Sequence, residues 1–248
     1  MLRLEIDEII ERISSSKHFE AESSDASFYI KIEDYTPFAG FAIHNGHNLR
    51  KNLADICLLS EHERWQEEDP FTYNFISSLP IVISANDSRY EYDLNRNEEH
   101  AIYREAWGKK VWKTELPNHQ VQTSIQKHRN FYRVVDALIS KLEKKFGAAV
   151  VFDIHSYNYN RYNQQTPVFN LGTQNINRTL YAKYINYWLK ELGKIQLQNI
   201  ETSVTENNIF KGNGFLLQHI SQTFQNTLVF ATEIKKIYCN EETGESYP

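Results

Sequence analysis

The sequence has few cysteines, no excess of positive charge and no long apolar run. Its two cysteines, Cys57 and Cys239, form neither a CxxC pair nor a disulfide framework, which favours a reduced, cytoplasmic location. With 27 Lys and Arg against 32 Asp and Glu, the net charge of −5 argues against a nucleic-acid partner. No stretch approaches the roughly 20 apolar residues that span a membrane. The acidic, amphipathic N-terminus lacks the pattern of a signal peptide.

What is present fits one large α/β domain. The chain has 248 residues, of which 41% are hydrophobic and 24% charged, and this is enough for a sizeable core. Segments in which every second residue is apolar, as in strands, alternate along the chain with segments in which apolar residues recur at helical spacing. These patterns predict helices at 4–16, 70–78, 121–146 and 178–192. They predict strands at 28–32, 41–43, 81–85, 110–114, 150–157, 167–172, 195–200 and 227–235. The polar residues 240–248 are predicted to be a disordered tail.

Two predicted strands carry histidine at their ends. The apolar run that begins at Val150 delivers Asp153 and His155, and a polar loop with Arg161 follows it. The strand at 41–43 leads into His44. Open α/β sheets bind ligands at the carboxyl ends of their strands, so these positions are candidates for a site, although a lone strand-end histidine is more often structural.

Further candidates for metal ligands lie near His44. His47 follows His44 at the i, i+3 spacing that can place two ligands on one metal, although a solvated polar turn has the same pattern. Asp69 precedes Pro70, which is typical of a helix N-cap followed by the first helical position. From this pattern alone, Asp69 and the adjacent Glu68 are residues of a simple helix start.

Two arginines and one isolated carboxylate are further candidates for functional residues. Arg89 and Arg96 carry planar guanidinium groups that can bind a carboxylate in a bidentate fork, but surface ion pairs with neighbouring acidic residues are an alternative. Glu233 is a single carboxylate in the apolar strand at 227–235. Burial would raise its pKa towards that of a general base. The alternative is an ion pair with Lys235 or Lys236.

Five motifs in this order resemble the N-formylglutamate amidohydrolase family, which is thought to share the fold of zinc carboxypeptidases. They are His-Asn-Gly at 44–46, the acidic helix start at 68–69, Ser-Arg at 88–89 with Asp-Leu-Asn-Arg at 93–96, Asp-Ile-His-Ser at 153–156, and a turn-rich segment at 207–214. The last is degenerate, because Ile-Phe replaces the family's Pro-Tyr and an Asn separates the two glycines. This departure leaves the substrate open.

The resemblance implies a mixed, mostly parallel sheet with helices on both faces. It implies Zn²⁺-dependent hydrolysis of an amide bond in a small acyl-amino acid, with the oligomeric state left open. Alternatives are a carboxypeptidase-type metallopeptidase, which would need an open cleft for a longer acyl chain, and a non-catalytic protein that binds small anions.

The resemblance also assigns roles to residues. Zn²⁺ would be held by His44, Asp69 and His155, with Glu68 and His47 as alternates, and Asp153 would orient His155. Glu233 would be the general base, and Arg89 would stabilise the oxyanion or a second carboxylate. The residues implied to bind substrate are Arg96, Asn95, Arg161, Asn208 and Gly212.

Overall fold

Nine strands form one mixed sheet in a computed structural model that describes residues 1–247. Five of its eight strand pairings are parallel. The sheet order is β1-β2-β3-β5-β4-β8-β11-β9-β10, and β6 and β7 form a separate hairpin. The strands are β1 Leu2–Leu4, β2 Phe19–Ser23, β3 Phe28–Ile32, β4 Phe38–Ala42, β5 Ile81–Ala85, β6 Glu105–Ala106, β7 Lys109–Lys110, β8 Ala149–Tyr157, β9 Phe169–Gly172, β10 Val204–Glu206 and β11 Thr227–Lys235.

Helices pack on both faces of this sheet, as predicted. On β5, Ile81 and Ile83 belong to the larger core cluster whereas Val82 belongs to a second one, because alternate side chains of a strand point to opposite faces. The larger cluster includes α1, α5 and α7, and the second includes α4 and the end of α6. The helices are α1 Ile6–Ser14, α2 Lys51–Ala54, α3 Glu61–Glu67, α4 Thr72–Ile76, α5 Asn118–Phe146, α6 Arg178–Leu192 and α7 Phe215–Thr223.

The centre of the sheet brings the candidate residues to one edge. Strands β4, β8 and β11 are neighbours and run parallel, so their carboxyl ends meet. His44 follows β4 by two residues, and Glu233 of β11 lies directly opposite His155 of β8. Ligand sites of open α/β sheets form at such an edge.

The predicted bounds of β3, β5, β11 and α6 are confirmed. Other predictions were wrong. The strand predicted at 110–114 is replaced by the β6–β7 hairpin. No strand forms at 195–200, where Leu197 and Ile200 make only an isolated bridge across a turn. The helix predicted at 4–16 is shorter because residues 2–4 form β1 beside β2.

The end of the chain also differs from the predicted disorder at 240–248. Asn240 N donates to the carbonyl of Glu245 at 2.8 Å, so these residues close a turn. The Glu241 carboxylate accepts from Tyr159 N at 2.6 Å, which ties the turn to the loop after β8. Residue 248 lies outside the described residues.

Candidate active site

Two histidines and one carboxylate converge beneath a cavity. His44, Asp69 and His155 are buried, and their ligand atoms lie within 4.8 Å of one another. The Nδ1 atoms of His44 and His155 lie 3.3 Å and 3.0 Å from the same oxygen, Oδ2 of Asp69. Two imidazole nitrogens with one carboxylate oxygen form a donor set that could hold a divalent metal ion.

Each histidine has a second carboxylate behind it. His44 Nε2 lies 2.7 Å from Asp93 Oδ1, and His155 Nε2 lies 3.1 Å from Asp153 Oδ1. Carboxylates behind metal-binding histidines fix the ring orientation and the tautomer. When Nε2 carries the proton, the Nδ1 lone pairs face the Asp69 carboxylate, and His44 Nδ1 is buried without a hydrogen-bond partner. The donors therefore fit a cation between them.

The site is electrostatically negative. Burial by itself would raise the pKa of Asp69, but the two histidines that face its carboxylate hold that pKa well below its usual range. Burial likewise opposes the ionisation of Asp93, yet the charges of Arg89 and His44 keep its pKa well below the usual value. Ionised carboxylates at the centre and behind it favour a bound cation.

The predicted helix N-cap at Asp69 was wrong. The helix begins later in the chain, so the Asp69 side chain is not used to cap it. Helix α4 begins at Thr72, and Phe71 occupies the N-cap position with a left-handed φ of 67°. Asp69 takes part through its backbone: its carbonyl accepts from Thr72 Oγ1 at 2.7 Å, and its N–H donates to the carbonyl of His44 at 2.9 Å. The Asp69 carboxylate is thus left for the histidines, with Ser156 Oγ 3.3 Å from Oδ1.

The two alternate ligands are turned away from this centre. Glu68 is buried, and its carboxylate accepts hydrogen bonds from Ser88 Oγ and pairs with His47 Nδ1. Neither Glu68 nor His47 belongs to a metal-ligand group found in residues 1–247. The geometry favours Asp69 among the three candidates.

A cavity of about 780 Å³ lies over the three residues. Glu233 lines it beside His155. No hydrogen bond or ion pair of its carboxylate is found in the described part of the chain. Burial raises the pKa of Glu233 to about 8, although the charge of His155 opposes the shift. The alternative ion pair does not form: Lys236 Nζ donates to backbone carbonyls, and Lys235 Nζ lies 4.4 Å from the ring centre of Tyr159.

Arg89 lines the cavity but is largely engaged by other groups. Its Nη2 donates to Asp93 Oδ2 at 2.8 Å, and its Nη1 donates to the carbonyl of Glu67 at 3.0 Å. Tyr103 donates to the same carboxylate oxygen, and the guanidinium lies 5.0 Å from the ring centre of Trp107. In this structure Arg89 holds Asp93 behind His44.

The other predicted substrate residues border the cavity at different depths. Arg96 is exposed at its mouth, and Nη1 donates to the carbonyl of Asn95 at 2.9 Å. Asn95 is half-buried and also lines the cavity. Arg161 is exposed there and donates to Glu67 Oε1 at 2.7 Å. Gly212 lines the wall with φ +79°, and a Cβ there would meet the backbone of Gly172 at 2.7 Å.

Asn208 does not line the cavity, which corrects that prediction. Its side chain is exposed, and its N–H donates to Asn170 Oδ1 at 2.9 Å. The wall is formed instead by residues 209–215. Asn170, a buried amide on β9, holds this segment by also accepting from Ile209 N at 2.9 Å.

Two residues at the site were missed by the sequence analysis. Asp93 contacts His44. The sequence included Asp93 in the Asp-Leu-Asn-Arg motif but did not indicate which residue it contacts. Lys236 is buried beside the cavity and was considered only as a partner of Glu233. A lysine so close to an apolar strand was the available signal, because lysine is rarely buried without a role.

Comparison with known proteins identifies one family and solved structures of similar fold. The family model described as N-formylglutamate amidohydrolase matches residues 37–239. The N-formylglutamate amidohydrolase of Ralstonia eutropha JMP134 has a similar structure, with a TM-score of 0.73 and 18% identity over 90% of each chain. A gene product of Agrobacterium tumefaciens gives a TM-score of 0.64 and 13% identity over 86% of each chain. A search of curated proteins finds no match.

Within residues 1–247, no helix combines the length and the apolar character needed to cross a membrane.

Proposed function

The chain belongs to the N-formylglutamate amidohydrolase family, and from this premise we propose that it hydrolyses the amide bond of a small N-acyl amino acid, such as N-formylglutamate, with zinc as its metal. The observation that carries the proposal is the convergence of His44, Asp69 and His155 beside a free carboxylate, Glu233, in one cavity. A metal-ligand set next to an unpaired base is the arrangement that metal-assisted hydrolysis requires.

Nδ1 of His44, Nδ1 of His155 and Oδ2 of Asp69 would hold the metal. When bound, Zn²⁺ polarises the scissile carbonyl and eases deprotonation of the attacking water. Asp93 keeps the His44 ring in place through a hydrogen bond, and the Asp153 carboxylate lies 3.1 Å from the His155 ring. Arg89 and Tyr103 in turn hold Asp93, so the orientation of His44 is fixed through two layers of side chains.

Glu233 moves the proton. Its carboxylate accepts a proton from the water as the oxygen attacks the acyl carbon, and it returns that proton to the nitrogen as the C–N bond breaks. The products are a carboxylic acid and a free amino acid. A pKa raised to about 8 suits both steps, because a group near the working pH can take up and release a proton readily.

Arg96 is our candidate for the group that binds the substrate carboxylate. It lines the cavity mouth, and no ion pair of its guanidinium is found among residues 1–247. Asn95 lies next to it on the same wall and offers an amide for a further hydrogen bond. A free planar guanidinium can receive a carboxylate through two parallel hydrogen bonds.

Replacing Arg96 by alanine is expected to raise KM for an N-acyl amino acid roughly tenfold with little change in kcat. A hydrogen bond to a charged group contributes about 1.5–3 kcal/mol, and the exposure of Arg96 favours the lower end. Steady-state kinetics would measure the effect, and loss of uniform binding raises KM alone.

The matched control is Arg129→Ala, since Arg129 is exposed, pairs with Glu98 at 2.7 Å and does not line the cavity. It should leave KM unchanged. Arg96→Lys should recover only part of the affinity, because lysine cannot form the bidentate fork. An unaltered KM in Arg96→Ala would remove Arg96 from substrate binding.

A substrate panel tests the proposed reaction against its rivals. The zinc-loaded protein would be given N-formyl-, N-acetyl- and peptidyl-glutamate, and release of glutamate would be followed. We expect the formyl compound to be cleaved fastest. Faster cleavage of the peptidyl compound would identify a metallopeptidase, and binding without turnover of any of them would identify a protein that only binds small anions.

A further inference from the structure

Lys236 is a buried lysine that the proposed chemistry does not use. It follows β11 directly and is 1% exposed. Its Nζ donates to the carbonyls of Gln66 and Glu68, both at 2.7 Å, and lies 5.9 Å from the ring centre of Trp65. In residues 1–247 it forms no ion pair with a carboxylate. A buried cation without an anionic partner is costly, so its position requires an explanation.

The carbonyls that Lys236 contacts lie at the carboxyl end of α3. The last carbonyls of a helix have no partner within the helix, and cations there are favourable. Asn158 Nδ2 donates to the carbonyl of Gln66 at 2.6 Å, and Arg89 Nη1 donates to that of Glu67 at 3.0 Å. With Lys236, three side chains that follow β5, β8 and β11 therefore hold three successive carbonyls.

These contacts fix the residue that precedes Asp69. Glu68 leaves the helix in an extended conformation, with φ −77° and ψ 170°. Its carbonyl is held by Lys236, and its N–H donates to the carbonyl of Arg64 at 3.1 Å. Its carboxylate is held by Ser88. Because the backbone of Glu68 is held on both sides, the direction in which Asp69 leaves it is determined.

We propose that Lys236 is a positioning residue, which holds the carboxyl end of α3 so that the Asp69 carboxylate faces His44 and His155. The inference rests on the proposed function in one respect, namely that Asp69 is a metal ligand. Lys236 acts through the backbone of the ligand-bearing segment and not through a side chain of the metal site. Its removal would leave the carbonyls of Gln66 and Glu68 without this donor and let the segment shift.

The test is the zinc affinity of Lys236→Met, measured by competition with a chromophoric chelator. Methionine keeps most of the volume of lysine but has no donor. Loss of an outer partner of a metal site typically weakens binding about 10–100-fold, and we expect a loss in that range. Lys236→Arg retains a cationic donor and should recover most of the affinity.

Lys127→Met is the matched control. Lys127 is another buried lysine, on α5, but it pairs with Asp87 at 2.9 Å and Glu91 at 3.4 Å and does not line the cavity. Its replacement should lower the Tm and leave the zinc affinity unchanged. An equal loss of affinity in both variants would mean general destabilisation and would overturn the inference.

The remaining outcomes are also decisive. If Lys236→Met binds zinc as tightly as the wild type, the inference fails while the metal site stands. If the wild type binds no zinc, the proposed function fails and the inference fails with it. If Lys236→Met does not fold, Asn158→Ala decides, because it removes one of the two donors to the carbonyl of Gln66. A several-fold weaker affinity supports the inference, and an unchanged affinity overturns it.

Discussion

Glu233→Gln is expected to lower kcat by about 10²–10⁴-fold, the usual contribution of a general base. Glutamine keeps the volume of the side chain but cannot accept the proton of the attacking water. Glu233 lies opposite His155 in register and lines the cavity. Rates for zinc-loaded wild type and variant on N-formylglutamate would measure the effect, with zinc content determined in parallel and expected to be equal.

The thermal stability of the Glu233→Gln variant distinguishes a general base from a carboxylate in a structural ion pair. Burial raises the pKa of Glu233 from 4.5 to about 8, so the ionised form destabilises the fold as pH rises through that interval. Near pH 7 the metal-free Glu233→Gln variant should therefore have a Tm equal to or above that of the wild type. A lower Tm would point to a structural pair that the substitution breaks.

The control for this variant is Glu206→Gln. Glu206 is a carboxylate on β10 that pairs with Arg178 and Thr173 and does not line the cavity. The Glu206→Gln variant should retain the kcat of the wild type. A Glu233→Gln protein that also retains most of its kcat would remove Glu233 from the mechanism, and the base would then have to be sought elsewhere in the cavity wall.

Asp69→Ala is expected to lose zinc. It removes a carboxylate whose oxygen lies within 3.3 Å of both histidine Nδ1 atoms. Removing one partner of a buried charged pair costs about 3–5 kcal/mol, which corresponds to a zinc Kd weaker by roughly 10²-fold or more. Elemental analysis after dialysis, followed by titration with zinc, would measure it.

His47→Ala is the matched comparison, because His47 has the spacing of a ligand but contacts Glu68 instead. Its side chain is 40% exposed, whereas that of Asp69 is 4% exposed. This variant should keep most of its zinc. The reverse pattern, with zinc lost from His47→Ala and kept by Asp69→Ala, would place the metal on the closely spaced histidine pair and contradict the proposed site.

The sequence predicted those elements whose local pattern and tertiary environment agree. Strands β5 and β11 are rich in apolar and branched residues, and such segments are typical of buried strands. Helix α3 was missed although Ser60 and Glu63 form a capping box, because its seven residues are mostly charged. A short polar helix has no apolar periodicity, and its carboxyl end is fixed by side chains from distant strands.

The sequence predicted which types of residue form the site, but not which of them contact one another. Asp69 before Pro70 has the local pattern of an N-cap, yet contacts with two strand-end histidines decide its role. The contact of Asp93 with His44 joins residues 49 positions apart, which no local pattern indicates. Asn208 matched a motif, but the wall of the cavity begins one residue later, because Asn170 holds the backbone of that segment.

The measurement that tests the central proposal most directly is formate release from N-formylglutamate by one preparation, before and after zinc is restored. The protein would be stripped with a chelator, assayed, supplied with one equivalent of Zn²⁺ and assayed again. We expect no release above background from the stripped protein and restored turnover after zinc is added. Equal rates in the two assays, or no formate in either, would contradict the proposal that this family member is a zinc-dependent amidohydrolase.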